Sequence, residues 1–196
     1  DVCLFRAVDP AVLPVPLFSS AETPMPFLRL EIALLERMAD LKARPGLIVV
    51  IVPTYNRGYL LDRTLTSVLH QTYENWICIV LDDGSTDNTP LRMREWQDRD
   101  PRFFYCRYEE NRGGVAMNEI GCALACEMGD AWVRLGSDDY FEPHKLELDI
   151  AAFNHGANVV YGPYRDLHET YIGEELRNGP MDARGMLLSR GFAGSW

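Results

Sequence analysis

An open, mostly parallel α/β sheet flanked by helices is the fold class that this sequence predicts. Three observations predict it. From Leu47 onward, short apolar runs alternate with amphipathic segments, a βαβαβ order that implies parallel strands joined by right-handed crossovers. The first two runs, Leu47–Val52 and Trp76–Leu81, are apolar throughout, as befits strands buried on both faces. Polar loops carrying carboxylates come after the strands, on the sheet edge where ligands of such folds bind.

Residues 1–46 precede this rhythm. Pro10, Pro14, Pro16, Pro24 and Pro26 predict an extended arm across 1–26 lying on some surface, unable to sustain a helix or a central strand. Phe27–Ala43 places Leu28, Ile32, Leu35 and Met38 on one helical stripe, stopped by Pro45-Gly46. This arm and helix either cover the sheet or contact a partner protein. The second unit is 47–196. Its first strand halts at Pro53, and the next helix carries Leu61, Leu65, Val68 and Leu69. After Trp76–Leu81 a helix over Pro90–Gln97 is opened by the capping residues Thr86-Asp87-Asn88-Thr89. Arg102–Tyr108 is a third strand and Asn111–Gly114 a turn. Val115–Met128 is a helix with small residues (Ala116, Gly121, Ala123, Ala125) on one side. Ala131–Leu135 is a fourth strand, Pro143 to about Asn154 a helix with Pro in its first turn, and Asn158–Tyr161 a fifth strand. Beyond Gly162 the pattern dissolves into polar loop, so the chain is expected to be C-terminally incomplete and a piece of something longer.

With 196 residues the chain can bury one full core and carry an appendage. Its 47% hydrophobic and 24% charged residues are ordinary for a soluble globular protein, and no apolar run approaches the ~20 residues that span a bilayer. A net charge of −10 argues against nucleic acid as a partner, and it means that an anionic ligand needs a local cation or backbone N–H groups. Cys3, Cys78, Cys106, Cys122 and Cys126 lack zinc-ligand spacing and read as buried thiols of a reducing compartment. The expected location is cytoplasmic, at a membrane periphery or within a larger assembly.

Three strand ends bring polar groups to one edge: Pro53, Thr54, Tyr55, Asn56 and Arg57; Asp82 and Asp83; Asp138 and Asp139. Clustered carboxylates are costly unless a cation joins them, and Mg²⁺ or Mn²⁺ suits oxygen ligands and phosphate alike. For Asp138 and Asp139 the competing reading is a cap on the next helix; a second acidic pair on the same edge weighs against it. Ser85 and Asp87 read as turn-building residues, and Arg57 has Asp62 as an alternative surface partner. Neither a G-x-G-x-x-G after a strand nor a P-loop is present, which removes dinucleotide and P-loop readings. A phosphoacceptor receiver would place a lysine at a late strand end, but Lys42 and Lys145 lie elsewhere.

VIVPTYNRGYLLDRTLTSVLHQTYENWICIVLDDGSTDNT, and after it ENRGGVAMNEIGCALA and LGSDDYFEP, resembles the family 2 glycosyltransferases, inverting enzymes of the GT-A (Rossmann-like) fold. The resemblance covers about Leu47 to Gly162. It implies a nucleotide-sugar donor, with uridine the commonest base. Pro53–Arg57 and Asp83 would hold base and ribose, with Asp82, Gly114, Asn118 and Asp138 in the same donor site; Asp138 and Asp139 would bind Mn²⁺ or Mg²⁺ at the diphosphate. The chain departs from the family at Gly136, where many members have Asp, and at Met117, where many have Arg. The family's catalytic base lies on a later acidic segment; Glu174, Glu175 and Asp182 read as solvated loop acids, and none is nominated.

Two functions fit these residues. One is a metal-dependent inverting glycosyltransferase, or its donor-binding part, acting on a glycan, lipid-linked or protein acceptor. The other is a truncated or degenerate GT-A module that binds nucleotide sugar or serves assembly without transfer.

Overall fold

Alternation along the two central strands decides how the layers stack. The computed structural model describes residues 3–6, 45–157 and 159–161. Strand β2 (Ile48–Thr54) is buried except at Pro53, and β3 (Trp76–Asp82) is buried throughout. Ile48, Val50, Val52, Cys78 and Val80 pack on one face against Leu61, Leu65 and Val68 of α1 (Gly58–Leu69), Met93 and Trp96 of α2 (Thr89–Arg99), and Leu146 and Phe153 of α4 (Lys145–Asn154). Val49, Ile51, Ile77, Ile79 and Leu81 pack on the other face under α3 (Gly114–Met128). Side chains of period two thus meet helices on both sides, and each fully buried Val or Ile contributes about 1.5–3 kcal/mol. The small residues of α3 let it sit close: a Cβ at Gly121 would stand 2.6 Å from Ile51 Cγ2.

Strands β4 (Phe103–Arg107), β3, β2 and β5 (Ala131–Arg134) run parallel. The sheet order is β4-β3-β2-β5-β1-β6, with β1 (Cys3–Arg6) antiparallel between β5 and β6 (Val159–Tyr161). The winding reverses between β2 and β5, so the crevice beyond their carboxyl ends is the topological switch point.

β1 corrects the reading of the arm as incapable of a central strand. The first proline is Pro10, so Cys3–Arg6 keeps the N–H groups that two neighbours require. The arm's remainder and the helix expected over Phe27–Ala43 lie outside the described residues. β2 also runs two residues past its expected end, through Pro53. Asp83 N–H donates to Thr54 O (2.9 Å) on the β3 side, whereas Leu135 N–H reaches Ile51 O (2.9 Å) on the β5 side. By alternation Pro53 presents its missing donor to the β5 side, where pairing has ended at Ile51–Arg134. Helix α4 starts two residues after Pro143, and the 142–143 segment is tied to the end of α1: Gln71 Nε2 donates to Glu142 O (2.8 Å) and Thr72 N–H to Pro143 O (2.9 Å).

Cys78, Cys106, Cys122 and Cys126 are free thiols. Cys78 is buried as expected, while the other three are only half-buried. Burial pushes the Cys106 and Cys122 thiols up to about 11 and Cys78 higher still. Among the described residues no helix is long and apolar enough to cross a membrane.

Candidate functional site

The edge is assembled by loops that bind one another. Asn56 adopts a left-handed conformation (φ 53°), which Asn tolerates better than most residues. Its N–H donates to Ser85 Oγ (2.8 Å), and its Oδ1 accepts from the N–H groups of Thr86 (2.8 Å) and Asp87 (3.3 Å). Asp87 in turn accepts from Gly58 N–H (3.0 Å) and Thr89 N–H (2.9 Å), so one carboxylate serves the first turns of both α1 and α2. Partial desolvation works against its charge, but the hydrogen bonds from Thr89 and Gly58 win and hold its pKa below the usual range. Ser85 and Asp87 are therefore the turn builders the sequence implied, and Asn56, expected at the donor, is committed to the same brace.

Asp82 ends β3 and Asp83 follows it; they are 0% and 4% exposed. Asp82 Oδ1 accepts from Ser85 N–H (2.8 Å); Oδ2 accepts from the Tyr105 hydroxyl and lies 3.6 Å from Arg107 Nε. That carboxylate is enclosed and ties the end of β3 to Tyr105 and Arg107 of β4. Asp83 accepts from Arg112 N–H (2.7 Å) and Gly113 N–H (2.9 Å), fastening the turn that leads into α3. A carboxylate has about four lone-pair sites, so Asp83 retains acceptors for a ligand.

Asp138 and Asp139 come after β5 and are exposed. They do not cap α4, whose N-cap is His144 without a side-chain bond. Asp138 Oδ2 accepts from Arg57 Nη1, and its carbonyl accepts from Arg63 Nη2. Arg57 thus spans the switch point to Asp138 rather than pairing with Asp62, which accepts from Trp96 Nε1 (3.0 Å). Gly136 lies beneath the pair: a Cβ there would stand 2.5 Å from Asp139 Oδ2 and 3.0 Å from Asp138 Oδ1. Partial desolvation, then the charge of Asp138, push the Asp139 carboxyl above its ordinary value, against the opposing charges of Arg134 and Arg63. Among the described residues no group of three or more His, Cys, Asp or Glu is gathered. Two adjoining carboxylates over a bare glycine fit a hard cation that takes its other ligands from water or phosphate, as Mg²⁺ commonly does.

One face of α1 holds this acidic loop, and its residues were missed from sequence. The buried Thr64 hydroxyl lies 3.0 Å from Ser137 O and 2.8 Å from Asp139 O, Ser67 Oγ accepts from Phe141 N–H (3.0 Å), and Gln71 Oε1 accepts from Leu146 N–H (3.0 Å). Polar residues at i, i+3 and i+7 on an otherwise apolar helix were the available signal. Of the remaining expected residues, Tyr55 is 45% exposed, and Thr54 is buried with no partner for Oγ1 among the described residues. Gly114 opens α3. Asn118 Oδ1 accepts from Arg134 Nε (2.7 Å), a strand arginine that the sequence reading also missed. Met117 is buried at 1% and belongs to the core.

Several known proteins are similar to this chain. It is 31% identical over 127 residues to an Escherichia coli protein named UDP-Glc:alpha-D-GlcNAc-diphosphoundecaprenol beta-1,3-glucosyltransferase WfgD, covering 64% of this chain and 49% of that one. It is 34% identical over 153 residues to an uncharacterized glycosyltransferase of Nostoc sp., covering 74% and 47%. Among solved structures, S. aureus TarS 1-349 in complex with UDP superposes with a TM-score of 0.49 at 29% identity, over 55% of this chain and 32% of that one. The chain thus spans less than half the length of each. The model of the family described as "Glycosyl transferase family 2" matches residues 49–184, which takes in the Pro53–Arg57, Asp82–Asp83 and Gly136–Asp139 loops, and the chain belongs to that family.

Proposed function

We propose that the chain binds a nucleoside-diphosphate sugar in the crevice beyond β2, β3 and β5 and, within a longer enzyme, transfers the sugar to an acceptor hydroxyl with inversion. The observation that carries this reading is the joining of the Arg57 loop to the Asp138–Asp139 loop across the switch point. Tyr55 offers an exposed ring for a base, and Asp83 with its turn closes the nucleoside half. Asp138 and Asp139 would hold Mn²⁺ or Mg²⁺. Such an ion supplies positive charge to a departing diphosphate. Arg57 and Arg63 already bring cations to the same loop in a chain of net charge −10. The E. coli relative's name makes uridine the base to test first and a lipid-linked diphosphate one acceptor class to test.

Calorimetric titration with UDP and UDP-sugars, with and without Mn²⁺, tests the assignment. Asp83→Ala should weaken binding under both conditions; Asp139→Ala should remove chiefly the metal-dependent part. Equal binding by parent and both variants would sink it. Binding with Mn²⁺ but no hydrolysis or transfer by a longer native chain would favour the non-catalytic module.

A further inference from the structure

Arg134 ends β5, a strand whose other members are Ala131, Trp132 and Val133. Ala131, Val133 and Leu135 join the core under α1, α2 and α4, whereas Trp132 packs on the α3 face. By the two-residue alternation of a strand, Arg134 also stands on the α3 face, opposite Arg57 and Arg63. Its Nε donates to Asn118 Oδ1 on α3 (2.7 Å). The donors on Nη1 and Nη2 have no hydrogen-bond or ion-pair partner among the described residues. Its charge is felt by Asp139, although the two form no ion pair. A half-buried guanidinium, held in plane by a neutral amide and without a carboxylate hydrogen-bonded to it among the described residues, is costly unless an anion completes it. Guanidinium forks match phosphate oxygens in pairs.

We propose that Arg134 binds phosphate in the donor site: its Nη donors hold non-bridging oxygens of the diphosphate from the α3 side, and Asn118 fixes the plane of the guanidinium. This rests on the nucleotide-sugar reading above. Arg57 and Arg63 then approach the acidic loop from one face of the sheet and Arg134 from the other.

The test compares UDP with uridine, and GDP with guanosine, by calorimetry on the full chain in metal-free buffer. Arg134→Gln should weaken the nucleoside diphosphate about tenfold or more, the scale of a charge-assisted hydrogen bond, and leave the nucleoside unchanged. Arg134→Lys should lose less than the Gln variant. Should Arg134→Gln melt early, Asn118→Ala leaves β5 intact and should cost about threefold for the diphosphate alone, the loss of one modest hydrogen bond. Unchanged diphosphate affinity in the soluble variants overturns the proposal. So does an equal loss for diphosphate and nucleoside, which marks a purely structural arginine. A parent that binds neither UDP nor GDP overturns the nucleotide-sugar reading itself, and this inference with it.

Discussion

Two acidic pairs stand on one sheet edge, each after a parallel strand and before a helix, and their fates differ. Asp82 and Asp83 are enclosed, and their oxygens accept from Ser85, Tyr105, Arg112 and Gly113. Asp138 and Asp139 are exposed, approached by Arg57, and gathered over a glycine. The difference lies in which groups the neighbouring segments bring to each pair. After β3, Ser85 N–H turns back to Asp82, while β4 brings the Tyr105 hydroxyl to Asp82 and the turn after β4 brings the Arg112 and Gly113 N–H groups to Asp83. After β5, Thr64 and Arg63 take the loop's carbonyls instead, and the carboxylates are left for solvent or a ligand. A buried carboxylate must be satisfied from within, and an exposed one remains available. The first pair builds the cradle, with Asp83 keeping acceptors toward it, and the second is left open to a cation.

The contrast breaks most readily at Asp82. Asp82→Ala should cost about 3–5 kcal/mol in urea unfolding, because it strands Tyr105, Arg107 and the Ser85 N–H, whereas Asp138→Ala should stay within about 1 kcal/mol. The opposite order would refute the division. Thr64→Val comes next: loss of the tie to Ser137 and Asp139 should cost about 1–2 kcal/mol and lower Mn²⁺-dependent UDP binding in the same titration. Gly136→Ala sharpens the comparison. The atoms its Cβ would meet are the ends of flexible side chains, so stability should change by under about 1 kcal/mol. The carboxylates must move apart, however, and Mn²⁺ affinity should fall several-fold; unchanged affinity would mean that Gly136 does nothing for the ion.

The smallest expected effect is one of pH. Asp87 is held below the ordinary carboxylate pKa in the folded chain, so its contribution is present above the unfolded value and fades as pH falls through the folded one. Asp87→Asn should flatten the acid limb of the urea midpoint between about pH 5 and about pH 2. A slope equal to the parent's would show that Asp87 carries none of it.

Much of the parallel core was legible because uninterrupted runs such as Trp76–Leu81 have one sensible place, between two layers. The site loops were legible because such sheets bind at the carboxyl edge and each loop succeeds a readable strand. Asn56, Asp82 and Asp87 show the limit. Side chains of one chemical type were recognisable, but whether each faces a ligand or a neighbouring N–H depends on how the loop folds back. Arg134 escaped notice because one charged residue at a strand end has many uses, and its partner Asn118 lies 16 residues away.

By itself the sequence determined the βαβ rhythm, the shared edge and the family. Periodic burial is a local property of the chain, and the three loop motifs are contiguous in it. Only the tertiary structure decided that Cys3–Arg6 joins the sheet between β5 and β6, that Arg57 reaches Asp138 rather than Asp62, and that Asp82 is sealed while Asp138 and Asp139 stay open. Each of those depends on which hydrogen-bonding groups arrive from distant segments, and the local pattern carries no record of them.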